Sequence, residues 1–131
     1  MPQNVMIVDD NEYVRASVEM TCEGTGIEVT PAASGPECLR LLTGGFRGLI
    51  LMDIMMPEMD GWDTIREIIG RGLYPGNIII MLTGVGEPDA KMEGMQEYVT
   101  DYLTKPFAPE QLLETLNYYL KLQQTLVNPH E

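Results

Sequence analysis

Three short runs in this chain contain no polar residue: Val5-Met6-Ile7-Val8, Leu49-Ile50-Leu51-Met52 and Ile78-Ile79-Ile80-Met81-Leu82. A half-exposed strand alternates apolar with polar residues, so uninterrupted runs of this length require strands covered on both faces. A parallel sheet between two helical layers meets that requirement, and the intervening segments supply the helices. Val14, Val18 and Cys22 recur on one face of a predicted helix over about 12–23, behind Asn11 as N-cap. Ser34 caps a second over about 36–42, with Pro36 in its first turn, where helix starts favour proline. The spacing predicts a third over about 61–71 with Ile65, Ile68 and Ile69 inward, and a shorter fourth over about 88–97. A fifth, over about 109–123, turns Leu112, Leu113, Leu116 and Leu120 inward.

Two further strands complete the pattern: residues 27–33, whose Pro31 suits an edge or an irregular end, and a brief 102–103. Ile78–Leu82 is the most β-prone segment and the best candidate for a central strand, covered on both faces. Five strands alternating with five helices, joined by right-handed crossovers, predict a doubly wound α/β fold with a five-stranded parallel sheet. The 131 residues are expected to form one domain, with a core over about 4–123 and a polar tail over 124–131.

A net charge of -12 disfavours nucleic-acid phosphates and acidic lipid as direct ligands. Cys22 and Cys38 fall in predicted helices without metal-ligand spacing, as expected of buried thiols in a reducing cytosol. No apolar run approaches the ~20 residues of a membrane span, so the expectation is a soluble, cytoplasmic protein.

The chemistry gathers where the strands end. Asp9 and Asp10 follow the first run, Asp53 the second and Thr83-Gly84 the third, while Lys105-Pro106 follows the last short strand. In an open α/β sheet these ends meet near a topological switch point, where such folds bind ligands. Three carboxylates converging in a poorly hydrated crevice repel one another unless a cation joins them, and an all-oxygen donor set suits Mg²⁺. An Asp carboxylate is also a nucleophile towards phosphorus. The incoming group would bring about -1.5 to -2 charges and three acceptor oxygens, which Mg²⁺, the Lys105 ammonium and the Thr83 hydroxyl could share. Gly84, lacking a side chain, leaves the approach open. Singly these residues have ordinary readings, as capping acids, a turn former, a helix cap and a solvated charge. Their joint placement at four strand ends carries the functional reading.

Together, Asp9-Asp10, Asp53 within D-I-M-M-P-x-M-D-G, Thr83-Gly84 and Tyr102-Leu103-Thr104-Lys105-Pro106-Phe107 resemble the receiver domain of two-component response regulators, over about residues 4–123. The resemblance implies a flavodoxin-like fold with strand order 2-1-3-4-5. It also implies a CheY-like phospho-acceptor that is not an enzyme beyond its own phosphorylation and dephosphorylation. Asp53 would take a phosphoryl group from the phospho-histidine of a sensor histidine kinase or histidine phosphotransfer protein. Asp9, Asp10, Asp53 and the Met55 carbonyl would hold Mg²⁺, and Thr83 and Lys105 would contact the phosphoryl oxygens. Tyr102 would turn inward as Thr83 moves, and the Lys105–Pro106 bond would be cis. A downstream protein target would bind around the fourth helix, fifth strand and fifth helix. His130, the sole histidine, sits in the tail, so the donor histidine must belong to a partner.

The chain departs from the family pattern in places. Met55 is apolar where many members place a polar group able to engage the attacking water. Glu97-Tyr98-Val99-Thr100 replaces a small glycine-containing turn, leaving Gly94 to end the fourth helix. Glu110 stands where one DNA-binding subfamily has Arg in a dimer-forming network. With few residues after the last helix, the expectation is a stand-alone module without an output domain. Tyr102 could instead pack its ring on the sheet rim. Met92 and Met95 are assigned mainly to core filling, and Trp62 to a half-buried site near enough to Asp53 to report Mg²⁺ by fluorescence. The alternative enzyme class, a phosphatase of the haloacid-dehalogenase type, needs an acid two residues after its nucleophile, where this chain has Met55. A flavodoxin-like mononucleotide binder needs a phosphate loop where this chain presents acids.

Overall fold

The computed structural model describes residues 3–84 and 94–127, with side chains through Gln124. Strands β1 (Gln3–Val8), β2 (Ile27–Ala32), β3 (Leu49–Asp53), β4 (Ile78–Thr83) and β5 (Asp101–Thr104) form one parallel sheet in the order β2-β1-β3-β4-β5. Helices α1 (Glu12–Cys22), α2 (Gly35–Thr43), α3 (Gly61–Gly70) and α4 (Pro109–Val127) connect or follow the strands. Flavodoxin-like order and parallel pairing are as expected. Ile78–Leu82 is a central strand as expected: β4 lies between β3 and β5. An unbroken apolar run reports that both faces are covered, which holds for every inner strand.

Most of the helix expected over 88–97 lies outside the described residues. Within them a 3₁₀ turn, Gln96–Tyr98, follows Gly94, whose φ of +93° is one that glycine adopts freely. The described residues therefore contain four α-helices, the last of which is the helix expected over 109–123, longer by one turn.

Alternate residues of the inner strands feed two cores. Met6, Val8, Ile50, Met52, Ile79 and Met81 meet Cys38, Leu39 and Leu42 of α2 and Trp62, Ile65 and Ile68 of α3. On the other face, Val5, Ile7, Leu49, Leu51, Ile80 and Leu82 meet Val18 and Cys22 of α1 and Leu112, Leu116 and Leu120 of α4. Both cysteines are free and buried. Pro31 lies in β2, an edge strand, as its missing N–H requires. Trp62 is fully buried rather than half-buried, because it falls in phase with Ile65 and Ile68 on the inward stripe of α3. Its indole Nε1 has no hydrogen-bond partner among the described residues.

The helix starts follow from local chemistry. The Asn11 side chain accepts hydrogen bonds from the Tyr13 and Val14 N–H groups, and the Ser34 hydroxyl accepts from Glu37 N–H. Asp60 and Asp63 form a reciprocal capping box at α3, with Asp63 N–H donating to Asp60 at 2.8 Å and Asp60 N–H to Asp63 at 3.3 Å. This box seats α3 directly on the end of β3. A Cβ at Gly61 would collide with the Asp53 carbonyl oxygen and crowd the Ile54 Cα, neither of which has room to yield. Gly70, at the far end of the same helix, faces open space. Gly61→Ala is expected to destabilise the protein by about 1–3 kcal/mol, whereas Gly70→Ala should leave stability unchanged or raise it by up to about 1 kcal/mol. Urea denaturation of both variants checks this, and equal midpoints would remove the close-approach argument.

Candidate functional site

Parallel pairing brings all five strands to one edge of the sheet with their C-terminal ends. Val8 is in register with Met52, and Asp53 with Leu82, so Asp9, the residue after Val8, arrives level with Asp53. Both acids continue the side of the strands that faces α1 and α4, two residues beyond Ile7 and Leu51 respectively. Asp9 is fully buried and Asp53 is 3% exposed.

Lys105, in the loop between β5 and α4, reaches across to both. Its Nζ lies 3.1 Å from Asp9 Oδ2 and 3.0 Å from Asp53 Oδ1. The Lys105 backbone N–H donates to the Thr83 carbonyl at 2.7 Å, fixing the start of that loop against the end of β4, and the Lys105–Pro106 peptide bond is cis. Asp10 is exposed, yet carboxylate oxygens of Asp9, Asp10 and Asp53 all lie within 4.8 Å of one another.

Two local contacts hold the first strand end in place. Asp9 Oδ1 accepts from Asn11 N–H at 2.9 Å, and its carbonyl accepts from Arg15 Nη1 at 2.8 Å. Arg15 was not foreseen as part of the site. Its signal in the sequence is a cation one turn into α1, which a helix can fold back over its own N-terminus. The loop after β3 carries a second feature invisible in the sequence. Glu58 has φ +68°, and Met59 N–H donates to the Pro57 carbonyl at 2.7 Å, a three-residue turn of the strained kind. This turn brings the chain from Asp53 back to the start of α3 within eight residues.

The other foreseen residues are nearby without joining the ionic cluster. Thr83 closes β4 and Gly84 follows it, both half-buried. No hydrogen bond joins the Thr83 hydroxyl to the acids or to Lys105 in this conformation. Tyr102 lies on the edge strand β5 and is 39% exposed, and Met55 is 66% exposed. Met95 is partly buried against the core on the α2–α3 side of the sheet, as core filling requires, while Met92 lies outside the described residues.

Burial pushes the Asp53 carboxyl up to about 6 from its ordinary 3.8, and the neighbouring charges of Asp9 and Asp10 push the same way, with Lys105 opposing them. Burial alone would pull Lys105 down, but its hydrogen bonds and charge attraction to Asp53 and Asp9 outweigh that, and it is raised. Three carboxylates facing one ammonium leave an excess of negative charge at a poorly hydrated point. That arrangement attracts a cation or an electrophile such as phosphorus.

The chain matches the response regulator receiver domain family over residues 5–117. A response regulator receiver domain protein (CheY-like) from Methanospirillum hungatei JF-1 superposes on it with a TM-score of 0.91 at 47% identity, over 95% of this chain and 99% of that one. The chemotaxis protein CheY4 of Vibrio cholerae superposes with a TM-score of 0.79 at 35% identity, over 90% and 98% of the two chains. In sequence, Protein PetR of Rhodobacter capsulatus is 35% identical over 120 residues, 92% of this chain and 49% of that protein. The transcriptional regulatory protein SrrA of Staphylococcus aureus is 32% identical over 125 residues, 95% of this chain and 51% of that protein. The chain spans about half the length of the curated relatives it matches. No helix among the described residues is long and apolar enough to cross a membrane. Sheet order, strand-end acids and the match along most of its length agree: the chain belongs to the response regulator receiver domain family, whose members are signalling modules.

Proposed function

We propose that this domain accepts a phosphoryl group on Asp53 from the phospho-histidine of a sensor histidine kinase or a histidine phosphotransfer protein, and signals by changing a protein-binding surface. The observation that carries this reading is the Lys105 ammonium bonded at once to Asp9 and Asp53, at the buried edge where Asp10 also converges.

The donor set fits Mg²⁺. Asp9, Asp10 and Asp53 offer only oxygen, in excess of the single ammonium, and the Met55 backbone carbonyl would add a further oxygen ligand. When bound, the ion would supply positive charge to offset both the carboxylates and the phosphoryl oxygens. An Asp53 carboxylate oxygen would attack phosphorus, forming the O–P bond as the N–P bond to the partner's imidazole breaks. Lys105 would then exchange part of its carboxylate contact for a phosphoryl oxygen. The Thr83 hydroxyl would donate to another, and Gly84 would leave the path clear.

A Thr83 bond made in only one loop conformation gives the switch its bias, of order 1–3 kcal/mol. Tyr102, exposed at the sheet edge, is the side chain placed to respond, and β5 with the outer face of α4 is the surface proposed to meet a protein target. The net charge of -12 favours contact with protein over direct contact with nucleic acid. Two free, buried thiols fit a cytoplasmic setting.

Intact mass after treatment with acetyl phosphate and Mg²⁺ tests the chemistry. Wild type should gain one phosphoryl group and Asp53→Ala none; an equal gain in both would move the acceptor elsewhere. A second expectation concerns pH. With its carboxyl raised from 3.8 to about 6, Asp53 binds its proton more tightly folded than unfolded. The resulting stability is fully present below the unfolded value and is lost as pH rises through the folded one. In EDTA, Asp53→Asn should therefore melt higher than wild type at pH 8, by on the order of 3–5 °C. The gap should close as pH falls from 6 to 4, and a gap independent of pH would exclude this cause. Finally, Met55 cannot orient a water molecule, so the acyl phosphate should outlast that of Met55→Asn; equal half-lives would remove Met55 from the account.

A further inference from the structure

Methionine exposure in this protein is uneven. Met6, Met52 and Met81 are fully buried and Met56 nearly so, whereas Met20 and Met55 keep 70% and 66% of their surface in water. These two are the exposed methionines among the described residues, and their positions differ in consequence. Met20 lies eight residues into α1, roughly 12 Å of helix from its start. Met55 stands two residues after Asp53, in the loop that follows β3. Ile54 and Met56 both turn into the core shared with α2 and α3. Met55, between these two buried neighbours, is therefore left in water in the loop that leaves Asp53.

We propose that Met55 is a peroxide-sensitive site whose oxidation to the sulfoxide shortens the life of the phosphorylated state. The inference rests on the reading of Asp53 as phospho-acceptor. In the oxidation, a lone pair on Met55 Sδ attacks one oxygen of hydrogen peroxide, the S–O bond forms and the O–O bond breaks. Sulfur gives up two electrons, and the departing hydroxide leaves as water with the proton of the transferred hydroxyl. A thioether accepts hydrogen bonds weakly, while a sulfoxide oxygen accepts them strongly. Two residues from the acyl phosphate and largely in water, that oxygen accepts a hydrogen bond from a water approaching phosphorus. The water oxygen then bonds to phosphorus as the bond to the Asp53 oxygen breaks, releasing inorganic phosphate and the free carboxylate, with the water's proton carried off on phosphate. Oxidation thus supplies the polar group that the unmodified side chain lacks.

The test uses the whole chain, phosphorylated with acetyl phosphate and Mg²⁺ after graded hydrogen peroxide, in wild type, Met55→Leu and Met20→Leu. Peptide mass mapping should find Met20 and Met55 oxidised before Met6, Met52, Met56 and Met81. The acyl-phosphate half-life should fall about 2–10-fold on oxidation in wild type and Met20→Leu. It should not respond in Met55→Leu, and methionine sulfoxide reductases should restore the longer half-life. A half-life indifferent to oxidised Met55, a Met55 that resists peroxide, or an equal response in Met55→Leu would each overturn the inference while leaving the acceptor reading intact. Failure of the unoxidised protein to take up a phosphoryl group would instead overturn the acceptor reading, and this inference with it.

Discussion

The Lys105 ammonium sits between two carboxylates that the sheet holds out of water, and the rest of the site is arranged around that contact. Lys105 is 96 residues from Asp9 and 52 from Asp53 in sequence, yet lies within hydrogen-bonding distance of both. Taking a carboxylate out of water costs several kcal/mol unless another charge or donor compensates it. Here one cation serves two acids while a third stands within 4.8 Å, so compensation is partial. The residue of that imbalance appears in Asp53, whose carboxyl is driven up to about 6 by burial and by its acidic neighbours. A fully neutralised site would have little affinity for another cation or for phosphorus. Here the excess of negative charge remains.

The scaffold makes the contact possible through two unrelated properties. Parallel pairing sends the C-terminal ends of β1, β3 and β4 to one edge, and the register sets Asp9 level with Asp53. Cores on both faces of the sheet then fix the strands rigidly enough for distances near 3 Å to be kept between distant segments. Local devices finish the work. The Asp60–Asp63 box and the bare Cα of Gly61 let α3 start against the Asp53 carbonyl, and Arg15 ties α1 back to Asp9. The strained turn at Glu58 lies between them, in the loop that carries Met55.

Much of this was legible in the chain because it depends on local chemistry. Asn11, Ser34 and Asp60 cap helices by bonds to N–H groups two or three residues away, so short spacing suffices to find the first two. The apolar runs revealed strands, and their terminal residues revealed where chemistry would gather. Trp62 was harder, since half a turn of helical phase separates a rim position from the core. Glu58 escaped notice because a left-handed φ at a non-glycine residue is imposed by its surroundings and leaves no mark on composition.

Sequence alone determined the elements, their handed parallel assembly and the identity of the strand-end residues, for each follows from periodicity over a few residues. It also supplied the family, through motifs at fixed places along most of the chain. Only the tertiary structure decided that Lys105 bonds both Asp9 and Asp53, that Trp62 is fully buried, and that Met55 remains largely in water while Ile54 and Met56 on either side of it are buried. Those outcomes depend on register and on packing between segments dozens of residues apart, quantities that no local pattern encodes.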